Sequence, residues 1–168
     1  MSLPKRKPTR LKGYDYSTSG AYFVTVCTHQ KLHLFGEIKN GEMLFNDLGK
    51  IANQQILNIE SHYKNVKIDK YVVMPNHIHM IIMIFETERI NPFPTIRYDI
   101  SNIVGKFKAS ITRNVGNAFM HSVRKPIWQR SFHDHIIRGE KDYQKLWEYI
   151  DTNVMCWEKD CFYQKERS

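Results

Sequence analysis

The 168 residues fit one domain of ordinary size, and their 42% hydrophobic content can fill a core. No stretch approaches the roughly 18 uninterrupted apolar residues of a membrane span, and no apolar run follows the basic N-terminus as in a secretory signal, so a cytoplasmic protein without a membrane partner is expected. The formal net charge of +8 points to an acidic partner.

That charge is clustered. Residues 1–13 hold Lys5, Arg6, Lys7, Arg10 and Lys12 and no acid. Residues 101–138 hold Lys106, Lys108, Arg113, Arg124, Lys125, Arg130 and Arg138 against Asp134 alone. Such patches suit a phosphate backbone, although a solvated basic face has the same composition. Cys27, Cys156 and Cys161 are odd in number and lack C-x-x-C spacing, so they read as reduced thiols.

Residues 1–13, with Pro4 and Pro8, read as a flexible basic arm, and 14–168 as a single domain. Ala21 to His29 reads as a strand, apolar on both faces and therefore central in a sheet. Leu32 to Phe45 reads as a hairpin turning at Lys39-Asn40-Gly41, because Asn-Gly tolerates the positive φ of a tight turn. Asn46 is the expected cap of a helix whose stripe is Leu48, Ile51, Ala52, Gln55, Ile56 and Ile59. Val66 to Met74 is the next strand, Pro75-Asn76 a turn, and His77 to Ile84 the strand after it. Glu86 to Arg97 is expected to be a loop. Ile103, Val104, Phe107, Ile111 and Val115 mark a second helix capped by Ser101 or Asn102, with Lys106 and Arg113 on its far side. Ile127 to Ile137 holds one or two short strands, and Glu140 to about Val154 is the last helix. The order β, hairpin, α, β-β, α, β, α predicts an α+β fold, a ferredoxin-like antiparallel sheet with helices packed on it.

In the strand after Pro75-Asn76, residues i and i+2 share a face. His77 and His79 therefore stand side by side, with Ile78, Met80 and Ile82 turned into apolar packing. Two imidazoles on one strand make half of a metal site, although His-x-His alone is more often a pair of ordinary histidines. In the last helix the apolar stripe is Tyr143, Leu146, Trp147, Ile150 and Val154, which makes Tyr143 a core residue. Tyr149 falls about 120° from the centre of that stripe, at the edge of the buried face. Asn153 lies one turn further on the same side. His133 and His135, with Asp134, could form a second metal site, but a structural role is the better reading.

The run Met74-Pro75-Asn76-His77-Ile78-His79 resembles the His-hydrophobic-His signature of the single-tyrosine transposases of insertion sequences. Residues 128–138, then Asp142-Tyr143, Glu148-Tyr149-Ile150 and Asn153, resemble the branch called REP-associated tyrosine transposases, as does the early Tyr22-Phe23-Val24-Thr25. The likeness runs from about residue 10 to about residue 157, nearly the whole chain.

The resemblance implies a ferredoxin-like fold and a Mg²⁺ or Mn²⁺ ion held by His77 and His79, with Asn153 in the third ligand position. It also implies that Tyr149 is the nucleophile. The substrate would be single-stranded DNA beside a hairpin, cut through a 5′-phosphotyrosine with release of a 3′-hydroxyl. Lys5, Arg6, Lys7, Arg10, Lys12, Lys106, Arg113, Arg130 and Arg138 are the candidate DNA contacts. Both a monomer and a homodimer fit the resemblance. Relatives usually carry Asn-Pro where this chain has Asn153-Val154, so the last helix is expected to run slightly longer. Two other readings are a replication initiator or relaxase, which usually has a longer chain, and a domesticated DNA-binding protein without activity.

Overall fold

The computed structural model describes residues 13–86, 98–123 and 126–163, with the backbone alone at 116–123. The expected arm from Lys5 to Lys12 lies outside the described residues, as do Arg124, Lys125 and nearly all of the expected loop before Arg97. In chain order the elements are β1 (Gly20–Cys27), β2 (Gly36–Lys39), β3 (Glu42–Phe45), α1 (Asp47–Leu57), α2 (Ile59–His62), β4 (Val66–Val73), β5 (His77–Ile84), α3 (Ile100–Val123), β6 (His133–Ile136) and α4 (Glu140–Thr152).

Local chemistry accounts for most of these boundaries. Asn40 and Gly41 take φ of 53° and 77°, the left-handed pair that a two-residue hairpin turn needs between β2 and β3. The Asn46 side chain accepts the Gly49 N–H at 2.9 Å and caps α1. The expected stripe to Ile59 is interrupted at Asn58, and Ile59 is buried in the separate turn α2. The cap of α3 is Asp99, whose carboxylate accepts the Asn102 N–H at 2.7 Å, rather than Ser101 or Asn102. An Asp two or three residues earlier places its oxygen on the same orphan donors, and sequence alone does not choose among three adjacent capping residues.

The main sheet has four antiparallel strands in the order β4-β5-β1-β6. The hairpin and α1 lie in the connection from β1 to β4, and α3 lies in the connection from β5 to β6. This is the ferredoxin-like arrangement expected from the element order. Strand parity divides the sheet into two faces. Tyr22, Val24 and Val26 of β1 join Ile78, Met80 and Ile82 of β5 in the core cluster, together with Ala52 and Ile56 of α1 and Ile103, Phe107 and Ile111 of α3. Phe23, Thr25, His77 and His79 point to the opposite face, over which α4 lies.

A β-bulge interrupts β4. Ile68 pairs with Ile82 and Lys70 with Ile81, which leaves Asp69 as an extra residue. Lys70 therefore falls on the α4 side, while Tyr71, opposite Met80, returns to the core side.

Gly49, in the first turn of α1, has a packing reason to be glycine. A Cβ there would meet the Phe35 carbonyl oxygen at 2.0 Å and the Phe45 ring at 3.0 Å. Alanine is the better helix former by about 1 kcal/mol, yet Gly49→Ala is expected to destabilise the fold by about 1–3 kcal/mol, because backbone would have to move. The shift in the urea unfolding midpoint measures this.

Candidate functional site

The site starts from the tight link between β4 and β5. Asn76 is fully buried and places all its polar atoms: its Nδ2 donates to the carbonyls of Lys31 (3.2 Å) and Phe162 (2.9 Å). Its Oδ1 must then accept from His77 Nδ1, 2.7 Å away. That bond sets the His77 tautomer and leaves Nε2 as a bare lone pair, buried and without a hydrogen-bond partner. His79 is held in the same way: its Nδ1 lies 2.8 Å from the hydroxyl of Thr25 on β1, its cross-strand partner. That bond turns the Nε2 edge of the ring toward the helix above.

Both imidazoles are buried, His77 at 0% and His79 at 1% exposure. Burial lowers the pKa of His77 to about 4, against a smaller opposing pull from Asp160. Burial and the neighbouring His77 ring hold His79 well below the usual histidine value. Neutral imidazoles are the form that binds metals.

Helix α4 brings in the next two groups. Ile150 is buried under it, and Tyr149 and Asn153 lie on one flank, as their spacing predicts. The Tyr149 hydroxyl stands 3.3 Å from His79 Nε2, and its ring meets the His79 ring edge-on at 5.1 Å. Asn153 is 2% exposed, and its Oδ1 is a second buried acceptor without a partner. The resemblance to relatives raised the possibility of a longer helix here, but α4 ends at Thr152 and the chain turns at Asn153 into the stretch that carries Asp160.

Asp160 is the member of this cluster that sequence reasoning missed. Its Oδ2 accepts from the Tyr149 hydroxyl (2.7 Å) and from Asn153 Nδ2 (2.8 Å), and lies 3.9 Å from His77 Nε2. The ligand atoms of His77, His79 and Asp160 lie within 4.8 Å of one another, so these residues, with the unpartnered Asn153 Oδ1 beside them, fit a divalent cation. Burial raises the Tyr149 pKa above its usual value, and the hydrogen bond to the Asp160 carboxylate raises it further, so the phenol keeps its proton. The sequence signal for Asp160 is weak: it is one of two acids, with Glu158, among Trp157, Phe162 and Tyr163, seven residues beyond Asn153.

The same stretch closes the site. The Phe162 ring lies over His77 at 4.7 Å, and Trp157 flanks His77 at 5.9 Å. Lys31 stands 5.1 Å over the Phe162 ring and donates to the Cys161 carbonyl at 3.3 Å, which makes it a cation beside the site that composition did not single out.

Other expected site residues lie elsewhere. Lys106 and Arg113 of α3 line a cleft of about 300 Å³ with Gln55 and His62, on the core side of the sheet and away from the histidines. Lys106 stacks over Tyr98 (5.2 Å) and Tyr63 (5.6 Å). Arg130 and Arg138 are exposed at either end of the β6 region. His135 forms no metal site with His133. It bonds Asp142 at 2.8 Å, and Asp142 also accepts the Arg138 N–H, which ties β6 to the first turn of α4. Tyr143 is not core either: it is half-buried, and its hydroxyl donates to Asp69 at 2.5 Å.

Residues 26–153 match the family described as transposase IS200 like. The chain belongs to the IS200-like transposase family. A protein of Haemophilus influenzae carrying no functional description is 39% identical over 94% of this chain and 93% of its own length. Among solved structures, a REP-associated tyrosine transposase bound to a REP hairpin superposes with a TM-score of 0.61 at 23% identity, covering 87% of this chain and 73% of that one. A crystal structure from Deinococcus radiodurans gives 0.50 at 17% identity, covering 85% and 95%. These two likenesses are likenesses of fold. Family membership makes the chain a DNA-processing transposase, and no described helix is long and apolar enough to cross a membrane.

The buried histidines make stability depend on pH. The unfolded chain takes up protons below pH 6.5, whereas folded His77 does so only near pH 4. Stability is therefore expected to fall as pH drops through that window, by up to about 1.4 kcal/mol per pH unit for each such histidine. Urea unfolding of the parent and of His77→Gln across this range checks it, and the variant's curve should be the flatter.

Proposed function

We propose that this transposase is a metal-dependent endonuclease and strand-transferase for single-stranded DNA, with Tyr149 as nucleophile. The observation that carries the reading is the placement of the Tyr149 hydroxyl within hydrogen-bond reach of His79 Nε2 and Asp160, beside the two bare acceptors His77 Nε2 and Asn153 Oδ1. The REP hairpin held by the structural relative supports a hairpin-bearing strand as the substrate class.

His77, His79 and Asn153 would hold a Mg²⁺ or Mn²⁺ ion, with Asp160 as a further oxygen ligand while the site is closed. When bound, the cation supplies Lewis-acid polarisation of a phosphate and favours ionisation of a nearby phenol. Tyr149 Oη forms a bond to phosphorus as the bond to the 3′ oxygen breaks. The phenolic proton reaches the departing oxygen through solvent, which gives a 5′-phosphotyrosine and a 3′-hydroxyl. Attack by another 3′-hydroxyl on that phosphotyrosine reverses the step and joins new ends without ATP. Asn76 and Thr25 orient the two imidazoles throughout.

Carboxylate and phosphate are both oxyanions, which supports a scissile phosphate taking the position of Asp160 in the open site. Trp157, Asp160 and Phe162 cover the histidines, so the stretch from 154 to 163 moves aside before DNA is cut.

The decisive experiment incubates the full chain with a labelled hairpin oligonucleotide and Mn²⁺ and looks for a covalent protein–DNA adduct. The parent is expected to form it, while Tyr149→Phe and a chelator each abolish it. An adduct that persists in Tyr149→Phe rules out this nucleophile. Asp160→Ala is expected to cut at least as fast as the parent while retaining Mn²⁺ less well without DNA, which calorimetry reads. Asn76→Ala, which removes the acceptor that orients the His77 ring, is expected to weaken Mn²⁺ binding by about 10- to 100-fold.

A further inference from the structure

The helix that carries Tyr149 is weakly seated by apolar packing. Among its residues only Ile150 is buried, in contrast to α1 and α3 on the other face. What grips it is polar, and it comes from the bulge in β4. The apolar residues Val66 and Ile68 precede the bulge at a spacing of two, and Tyr71 and Val73 follow it at the same spacing, but Tyr71 comes three positions after Ile68. A regular strand would give Lys70 the parity of Ile68 and point it toward α1. The extra residue, Asp69, shifts that parity and brings two consecutive side chains to α4.

Each meets a different turn of the helix. Asp69 accepts the Tyr143 hydroxyl at 2.5 Å. Lys70 donates to Asp151 at 2.5 Å and lies 3.7 Å over the Trp147 ring. Tyr143, Trp147 and Asp151 recur every fourth residue and so form one flank of α4, along the edge strand. Tyr149 and Asn153 form the other flank, over the histidines, with Ile150 between the two. A grip along one flank sets the rotation of the helix about its axis, and that rotation decides where the Tyr149 hydroxyl falls.

We propose that Asp69 and Lys70 form a positioning clamp that fixes the roll of α4 and holds Tyr149 over His79 of its own chain. They act through the helix and touch no reacting atom. The inference rests on Tyr149 as nucleophile for its catalytic consequence, but not for its structural content.

The test uses the full chain with 3-fluorotyrosine at position 149, whose ¹⁹F resonance reports the position of that ring whatever its role. Single-turnover cleavage of a hairpin oligonucleotide with Mn²⁺ is measured alongside, with hairpin affinity and thermal unfolding. Tyr143→Phe removes only a hydroxyl, and Lys70→Met keeps the stem while removing the cation. In the combined variant the resonance is expected to shift or broaden, and the cleavage rate constant to fall about 10- to 100-fold while hairpin affinity stays within about twofold. Lys70→Arg, which keeps a cation over Trp147, is expected to cleave at the parental rate. An unmoved resonance with parental cleavage in the combined variant overturns the clamp. So does a loss of rate matched by an equal loss of hairpin affinity with the resonance unmoved. If the parent itself forms no adduct, the nucleophile reading fails, while the ¹⁹F comparison still decides the clamp.

Discussion

Two imidazoles are buried side by side in an interior strand of the sheet, and keeping them neutral constrains the rest of the site. A charged ring at that depth would cost several kcal/mol, so the folded chain lowers both pKa values. A neutral ring still needs a partner for its N–H. Asn76 fills that need for His77 at Nδ1 and leaves a lone pair at Nε2, and the Thr25 hydroxyl bonds His79 at Nδ1. The physics that makes the histidines tolerable in a core therefore also turns their Nε2 atoms toward one point. Asn76 has a second consequence: its amide holds the Phe162 carbonyl, so the residue that orients His77 also anchors the stretch covering it.

The two faces of the sheet are stabilised differently. On one, aliphatic and aromatic side chains of β1, β5, α1 and α3 interlock in a continuous apolar cluster. On the other, α4 buries a single residue and is placed by hydrogen bonds, an ion pair and a cation–π contact from the edge strand. Apolar burial supplies stability with little directional preference, whereas hydrogen bonds fix orientation. A face that must set a hydroxyl against an imidazole to within tenths of an ångström gains more from the second kind of contact. Polar seating also leaves that face easier to open, as a DNA strand would require.

Family membership, fold and site geometry bear on different questions. The family match makes the chain a transposase. The superposition with a hairpin-bound relative at 23% identity concerns the fold alone. The proposed chemistry at Tyr149 is argued from the placement of His77, His79, Asn153 and Asp160 in this chain. Asp160 alters the electrostatics expected from two imidazoles and an amide. A carboxylate would partly neutralise a dication held there, and in the proposed mechanism its displacement would restore the positive charge toward an anionic strand.

What the sequence determined by itself is what short-range periodicity encodes. The period of two placed His77 and His79 on one face, the period of 3.6 put Tyr149 and Asn153 at the edge of a buried stripe, and Asn40-Gly41 and Asn46 marked a turn and a cap. The element order was enough for the ferredoxin-like sheet. Tertiary structure decided the rest, because those contacts join residues with no regular spacing between them. Asp160 sits in an irregular stretch after the last helix, where no period predicts a direction. Tyr143 fits an apolar stripe by spacing, yet its hydroxyl is claimed by Asp69, 74 residues earlier. Lys106 and Arg113 looked like companions of the site by charge, but a sheet one layer thick separates them from it. The bulge in β4 left a trace in the spacing of Ile68 and Tyr71, but only the docked helix shows why two neighbouring polar residues had to share a face.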